Sequence, residues 1–440
     1  MGKTPGEPPH ILIVGGGYVG MYTALGLQSK LSPGDASITV VDPQPQMTYQ
    51  PFLPEAAAGS IEPRHVVVPL RPVLRQCRVL CGRVTKVEHA HRVATIENCA
   101  GNVEQLGYDV LVMAPGSIAR TLPIPGLAEH GISFKTIGEA IYLRNHVLSR
   151  LEAADATIDP QLRRKLLGFV VIGGGYAGIE LLGELEDMAR YACRYFETIE
   201  PSDMRWVLVE ATGRIMPEVS EGLGRYTVKR LTQRGIEVFL NTRVTTMENG
   251  HVLLDDGTEF DADTIVWTAG VKANPVLRQT DLPLDDRQRL RCLATLQVVG
   301  CSDAFSAGDC AAVPDLTSDD PNAVCSPSAQ HAVRQAAVLA DNVIAYLRGH
   351  ALRHYQHRYA GSVASLGLYK GVAEIYGIRL TGIVAWFMHR TYHLSRMPTF
   401  NRKIRIVADW TSALLFRREV VALGQINDPK ADFVRATTAS

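Results

Sequence analysis

Asp42 and Glu210 each close a short apolar run, and each follows a glycine cluster of the same spacing. The first cluster is Gly15, Gly17 and Gly20, a G-x-G-x-x-G behind Ile11, Leu12, Ile13 and Val14. In that pattern the first glycine makes a tight turn, the second lets backbone approach a pyrophosphate, and the third seats a helix close to its strand. The helix that follows points its N-terminal N–H groups at the phosphates. Asp42 comes 22 residues after Gly20, where a carboxylate can accept from a ribose hydroxyl. The chain then does this again. Gly173, Gly175 and Gly178 follow the apolar run 166–172, and the next strand, 205–209, ends at Glu210. Two such arrangements point to two nucleotides: a bound flavin dinucleotide at the first and a diffusible nicotinamide dinucleotide at the second.

Other small-residue turns fall where a ligand would need close backbone. Asp109 to Met113 reads as a buried strand ending in Ala114, Pro115 and Gly116, and 263–270 repeats that ending at Gly270. Gly308-Asp309 also follows a short strand, which puts a carboxylate in place for a polyol hydroxyl such as a ribityl chain. Cys310 beside it reads as a packing thiol. His389 and His393 are four apart, yet Arg390 lies between them and no third ligand is evident, so no metal is expected.

These residues need strands and helices to hold them. The segments 83–108 and 235–254 alternate like small antiparallel sheets, and 138–151, 177–198 and 328–349 read as helices. The Pro- and Ala-rich stretch 43–62 reads as a loop over the cofactor, and 155–164 as a polar connector. The fold expected is α/β, with two Rossmann-like dinucleotide-binding domains and a C-terminal amphipathic helical segment. The boundaries expected are 1–118 with 295–350 for the flavin, 119–294 for the nicotinamide, and 351–440 for a membrane-associating region.

Length and composition agree. The 440 residues suffice for two or three domains, and 45 basic against 45 acidic residues gives no global signal for nucleic acid. Eight cysteines form no disulfide framework and read as reduced structural thiols. The run 11–29 has no charge and imitates a membrane span, but its glycines argue against one, and no signal peptide is read.

The tail has its own character. Residues 376–418 hold Arg379, Arg390, Arg396, Arg402, Lys403, Arg405, Arg417 and Arg418 against one acid, Asp409. Leu380, Ile383, Val384, Phe387 and Leu394 keep helical spacing, and Val407, Trp410 and Leu414 do so again. Basic, amphipathic, Trp-bearing helices read as lying in a membrane interface. The other uses of such a pair are packing on the body or a homodimer interface.

Taken together these motifs resemble the type II NADH:quinone oxidoreductases, single-subunit, non-pumping flavoproteins of the glutathione-reductase-like fold. The resemblance covers nearly the whole chain. It adds Ala269-Gly270-Val271-Lys272, Gly308-Asp309-Cys310-Ala311, Ala329-Gln330 at a helix start, and Gly367-Leu368-Tyr369-Lys370-Gly371. It implies FAD on Gly15, Gly17, Gly20, Asp42, Ala114, Gly116, Gly308 and Asp309, and NADH on Gly173, Gly175, Gly178, Glu210 and Gly270. It implies Glu180 at the nicotinamide, Gln330 near a membrane quinone, and Lys370 stabilising reduced flavin or a quinone oxygen. The quinone pocket is then expected where Gln330, Lys370 and the tail converge, with the protein peripheral on the cytoplasmic face of a membrane. Arg334, where the family often has Gln, and the longer turn around Lys370 leave the acceptor open. A disulfide reductase is excluded because 18–62 holds no Cys. A sulfide:quinone reductase would need Cys193 and Cys325, and a non-turnover redox sensor would lack the acceptor pocket.

Overall fold

A computed structural model describes residues 7–357, 361–416, 418–422 and 430–438; Arg417 of the basic tail lies outside them, as do the first six residues. The chain divides into two compact units. One comprises Met1–Thr48, Val67–Ile118 and Val271–Tyr359, and the other Tyr49–Val66, Ala119–Gly270 and Ala360–Ser440.

The first unit is built on a seven-stranded sheet. Its order is Ala304–Ser306, Val110–Met113, His10–Val14, Ser37–Asp42, Arg78–Glu88, Val93–Asn98 and Val103–Gly107. The first five pair in parallel and the last three form an antiparallel meander. The near-continuous apolar runs are what a doubly covered parallel sheet requires, and Ile11, Leu12, Ile13, Leu111, Val112 and Phe305 are wholly buried. The helices Tyr18–Lys30 and Ala329–Leu347 pack together closely, since a Cβ on Gly26 would meet the Ala340 Cβ at 2.7 Å.

The second unit repeats the plan with five parallel strands. The order is Gly131–Ser133, Thr264–Trp267, Gly168–Ile172, Arg205–Glu210 and Ile236–Leu240. Its core joins Val170, Val207, Val209, Ile265 and Trp267, and the Trp267 indole N–H donates to the Arg120 carbonyl at 2.7 Å. In both sheets the glycine-cluster strand lies between the acid-bearing strand and the strand with the small-residue turn. That order creates a crevice beyond the strand ends where dinucleotides bind.

Several expectations need correction. The stretch 43–62 is no plain loop: it holds the strand Gln46–Thr48, a 3-10 turn Gln50–Phe52 and the helix Leu53–Ala57. Residues 49–66 group with the second unit and 271–294 with the first, so the unit boundaries differ from those drawn on sequence. The polar connector contains the helix Pro160–Leu166, whose N-cap Asp159 accepts from Gln161 and Leu162 N–H. Ile236–Leu240 joins the parallel sheet instead of an antiparallel one; the antiparallel ladder is Val244–Thr246, His251–Leu254 and Glu259–Asp261. The tail helices Gly382–Arg396 and Phe400–Leu415 group with the second unit.

Candidate functional sites in the two units

In the first unit, the strand His10–Val14 delivers the chain into Gly15 at φ +100°, where a Cβ would stand 2.2 Å from the Ala114 carbonyl oxygen. A Cβ on Gly20 would lie 1.8 Å from the Gly15 oxygen, so helix and loop touch through bare backbone. Gly17 differs. It is the N-cap of Tyr18–Lys30, no side chain caps it, and the space where its Cβ would go is open to 4 Å. An uncapped helix start with free space in front of it fits a dinucleotide pyrophosphate. Asp42 lies at the rim of this cradle. Its Oδ2 accepts from Gly16 N–H at 2.6 Å and Oδ1 from Gln44 N–H at 2.7 Å. Burial raises its pKa, and the two backbone bonds pull it back. Each oxygen keeps a lone pair for a ribose hydroxyl.

Around that cradle, Ala114 is buried and donates its N–H to the Val14 carbonyl at 2.8 Å, and the space at Gly116 is open. Asp309 accepts from the Ser117 hydroxyl at 2.6 Å, and the Gly308 N–H donates to the Gln335 side chain at 2.7 Å. Gln330 is the second residue of Ala329–Leu347. Its Oε1 is buried without a partner among the described residues. Arg334 folds back onto the Gln330 carbonyl at 3.2 Å. The residues of the first unit thus fit an FAD molecule along the cradle.

The second unit repeats the geometry almost atom for atom. Gly173 adopts φ +112°, a Cβ on Gly178 would lie 2.1 Å from the Gly173 oxygen, and the space at Gly175 is open. Gly175 is the N-cap of Tyr176–Ala192 and again no side chain caps it. Glu210 Oε2 accepts from Gly174 N–H at 2.6 Å, matching the Asp42–Gly16 bond. Its Oε1 accepts from the Thr212 N–H and hydroxyl, both at 2.8 Å. Gly270 ends the neighbouring strand in open space. Arg214 does not reach for this acid; its guanidinium donates to the Val219 carbonyl.

Beyond this cradle lies a buried charge network that sequence reasoning largely missed. Glu180 sits in the second turn of Tyr176–Ala192 and is buried. Its Oε1 accepts from Ser365 N–H at 3.0 Å and lies 2.9 Å from His389 Nε2. Burial alone would lower the His389 pKa, but the charge of Glu180, then Glu55 and Glu184, outweighs it and raises it. Glu184, one turn on, accepts from the Ser365 hydroxyl at 2.8 Å through Oε1, while its Oε2 has no hydrogen-bond partner among the described residues. Burial, then the charge of Glu55, pushes its carboxyl up to about 7. Arg418 Nη2 stands 4.0 Å from that oxygen.

Glu55 is the network's other anchor. Arg390 donates to both its oxygens, at 2.7 and 3.3 Å, and Trp410 Nε1 donates at 2.9 Å. The Arg390 guanidinium lies over the rings of Trp386 and Trp410, at 4.0 and 4.8 Å from their centroids. Trp410 therefore faces inward, which corrects its expected place on a lipid-facing stripe. His389 and His393 pack edge to face at 4.6 Å. Burial and the neighbouring His389 hold His393 well below the usual histidine range. No group of three His, Cys, Asp or Glu among the described residues is placed to hold a metal. Lys370 pairs with Asp187 at 2.8 Å. The legible trace of the network was the i, i+4 spacing of Glu180 with Glu184 and of His389 with His393. Nothing local marked Glu55.

The tail helices carry a second, outward face. Ile383, Val384, Phe387, Phe400, Ile404, Val407, Leu414 and Leu415 are exposed, with Arg396 and Arg405 exposed beside them. No described helix is long and apolar enough to cross a membrane.

The chain matches the family model described as pyridine nucleotide-disulphide oxidoreductase over residues 9–336. It is 30% identical to the type II NADH:quinone oxidoreductase Ndh of Mycobacterium tuberculosis, over 94% of this chain and 90% of that one. It is also 30% identical to a type II NADH:quinone oxidoreductase of Staphylococcus epidermidis, over 86% of this chain and 93% of that one. The structure of NDH2 from Plasmodium falciparum in complex with NADH shares the fold, with a TM-score of 0.85 at 17% identity, over 94% of this chain and 99% of that one. The chain belongs to the pyridine nucleotide-disulphide oxidoreductase family and, within it, to the type II NADH:quinone oxidoreductases.

Proposed function

We propose that this chain oxidises NADH with FAD bound in the first cradle and reduces a membrane quinone without pumping protons. The observation that carries this reading is the matched pair of uncapped glycine cradles, each with its acid pinned by a glycine N–H at 2.6 Å. Bound FAD supplies the redox centre, accepting a hydride from NADH and yielding two electrons to the quinone. The protein's own residues bind and orient. Gly17 and Gly175 admit the pyrophosphates, Asp42 and Glu210 accept from the adenosine riboses, and Asp309 accepts from the ribityl chain. Gly116 and Gly270 leave room for the rings.

Glu180 Oε1 lies 2.9 Å from His389 Nε2, so that pair can orient the nicotinamide or pass a proton. Gln330, with a buried oxygen lacking a partner, offers an acceptor and a donor to a quinone and its reduced form. Lys370 serves through the turn that its ion pair with Asp187 fixes. The exposed apolar and basic face of the tail supports peripheral attachment to the cytoplasmic face of a membrane in preference to a homodimer contact. Burial pushes the Cys193 and Cys325 thiols each up to about 11, which gives no support to sulfide chemistry.

Stopped-flow half-reactions test the assignment. NADH should bleach the yellow protein, and a soluble quinone analogue should restore the colour. Gln330→Ala and Lys370→Ala should slow the restoring step and spare the bleaching. The reverse pattern would remove both residues from the quinone site.

A further inference from the structure

We propose that Cys81 and Cys99 are a redox-active dithiol, closed to a disulfide by a small-molecule disulfide of the glutathione class. Cys81 lies in the strand Arg78–Glu88, and Cys99 is the residue after the strand Val93–Asn98. These strands are antiparallel with Gly82 opposite Asn98, and the Cys99 N–H donates to the Cys81 carbonyl at 3.2 Å. The two cysteines are therefore directly opposed and share one face of the sheet. Opposed residues of a hydrogen-bonded antiparallel pair have Cα atoms about 5.5 Å apart, inside the range of about 4.4–6.8 Å that a disulfide spans.

Access favours Cys99, the one exposed thiol of the eight, while Cys77 and Cys301 are half-buried like Cys81. Cys193, Cys292, Cys310 and Cys325 are buried, whereas Cys99 is exposed and Cys81 half-buried. The Cys99 thiol is already turned toward its partner, donating to the Cys81 carbonyl at 2.9 Å. The Cys81 thiol donates to the Pro43 carbonyl at 3.6 Å, and the neighbouring Cys99 side chain, then burial, hold it above its ordinary range against the opposing charge of Arg71. In the parallel ladder on its other side Cys81 is opposite Asp42, so the pair borders the acid of the first cradle. It is not the dithiol of disulfide reductases, which would fall within 18–62, where there is no cysteine.

The exchange proceeds in two displacements. The Cys99 thiolate attacks one sulfur of the reagent, a Cys99–reagent bond forms, the reagent's own S–S bond breaks, and the departing thiolate takes up a proton. The Cys81 thiolate then attacks Cys99 Sγ, forms the protein disulfide and expels the second reagent thiol. Two protein thiols are oxidised and one reagent disulfide is reduced to two thiols. Because the Cys81 thiol is held high, the second displacement is slow near neutrality and accelerates as pH rises.

The full-length FAD-loaded protein is incubated with oxidised glutathione at about pH 7 and about pH 9, quenched with acid, alkylated and mapped by mass. The expected result is loss of two of the eight thiols and a crosslink between tryptic fragments 79–83 and 93–120, faster at the higher pH and reversed by dithiothreitol. Cys81→Ser should instead trap a glutathione adduct on Cys99, and Cys99→Ser should abolish the crosslink. The proposal is overturned if wild-type protein keeps all eight thiols, links other cysteines, or retains an unresolved adduct on Cys99 at the higher pH.

Discussion

The Glu55–Arg390 pair carries a quantitative expectation. Its side chains are 1% and 7% exposed, so both charges have left water, and each needs the other. Arg390→Met removes two charge-assisted hydrogen bonds and strands the Glu55 carboxylate with the Trp410 indole as its remaining donor. Breaking a buried pair from one side costs about 3–5 kcal/mol, because an uncompensated charge stays behind. The contact of the cation with Trp386 and Trp410 adds at most about 2 kcal/mol, and the methionine stem recovers part of that packing. Desolvation of Glu55 is therefore the dominant effect. Glu55→Leu combined with Arg390→Met removes both charges and should return stability to within about 1–2 kcal/mol of wild type. Urea unfolding followed by tryptophan fluorescence reads both variants, since Trp386 and Trp410 flank the guanidinium. A loss below about 1 kcal/mol in the single variant, or a double variant no more stable than the single, would refute the reasoning.

Other outcomes follow from the sites. Gly17→Val should fold, because its Cβ meets no protein atom, yet purify without yellow colour; a normal FAD content by absorbance would contradict the cradle. NADH should be preferred to NADPH by about tenfold, some 1.4 kcal/mol, and Glu210→Gln should erode that ratio of kcat/KM; an unchanged ratio would reassign the ribose site. Glu184, pushed up to about 7, binds its proton more tightly folded than unfolded, so its penalty is absent at low pH and grows to roughly 3 kcal/mol as pH rises from about 4.5 to about 7. The stability of Glu184→Gln relative to wild type should thus climb across that window, and a flat difference would place the proton elsewhere. Membrane attachment should loosen in high salt and strengthen with anionic lipid in vesicle flotation, and indifference to both would return the outer face to another partner.

Some of this architecture is legible from residue types because its constraints are local. At Gly20 and Gly178 a single Cβ would strike the backbone oxygen five residues back, within one short loop, so the glycine spacing alone announces both cradles. Asp42 and Glu210 were found the same way, at strand ends a fixed distance on. Glu55 was not, because its meaning depends on Arg390, 335 residues away, and its own stretch reads only as Pro- and Ala-rich. The tail was half legible. Helical spacing showed that it is amphipathic, but not that the second face, with Trp386, His389 and Arg390, would be buried against acids. Cutting the tail at Tyr376 would leave Glu55, Glu180 and Glu184 without His389, Arg390 and Arg418, so loss of the second unit's fold is the expected outcome.

The two-faced helix Gly382–Arg396 also ties the timing of folding to the lipid phase. Glu180 leaves the ribosome 210 residues before Arg390, roughly 10–40 s earlier at ordinary elongation rates. Throughout that interval the nascent second unit carries carboxylates whose counter-charges do not yet exist, so its completion waits for this helix. When the helix arrives, one face neutralises those acids, and on the proposed attachment the other would meet the bilayer. A bilayer that binds only the completed helix acts as a ligand of the folded state, and at a hundredfold excess over its dissociation constant contributes about 2.7 kcal/mol. Membrane capture and maturation of the nucleotide-binding unit would then be one thermodynamic event, and delipidation would lower that unit's unfolding temperature.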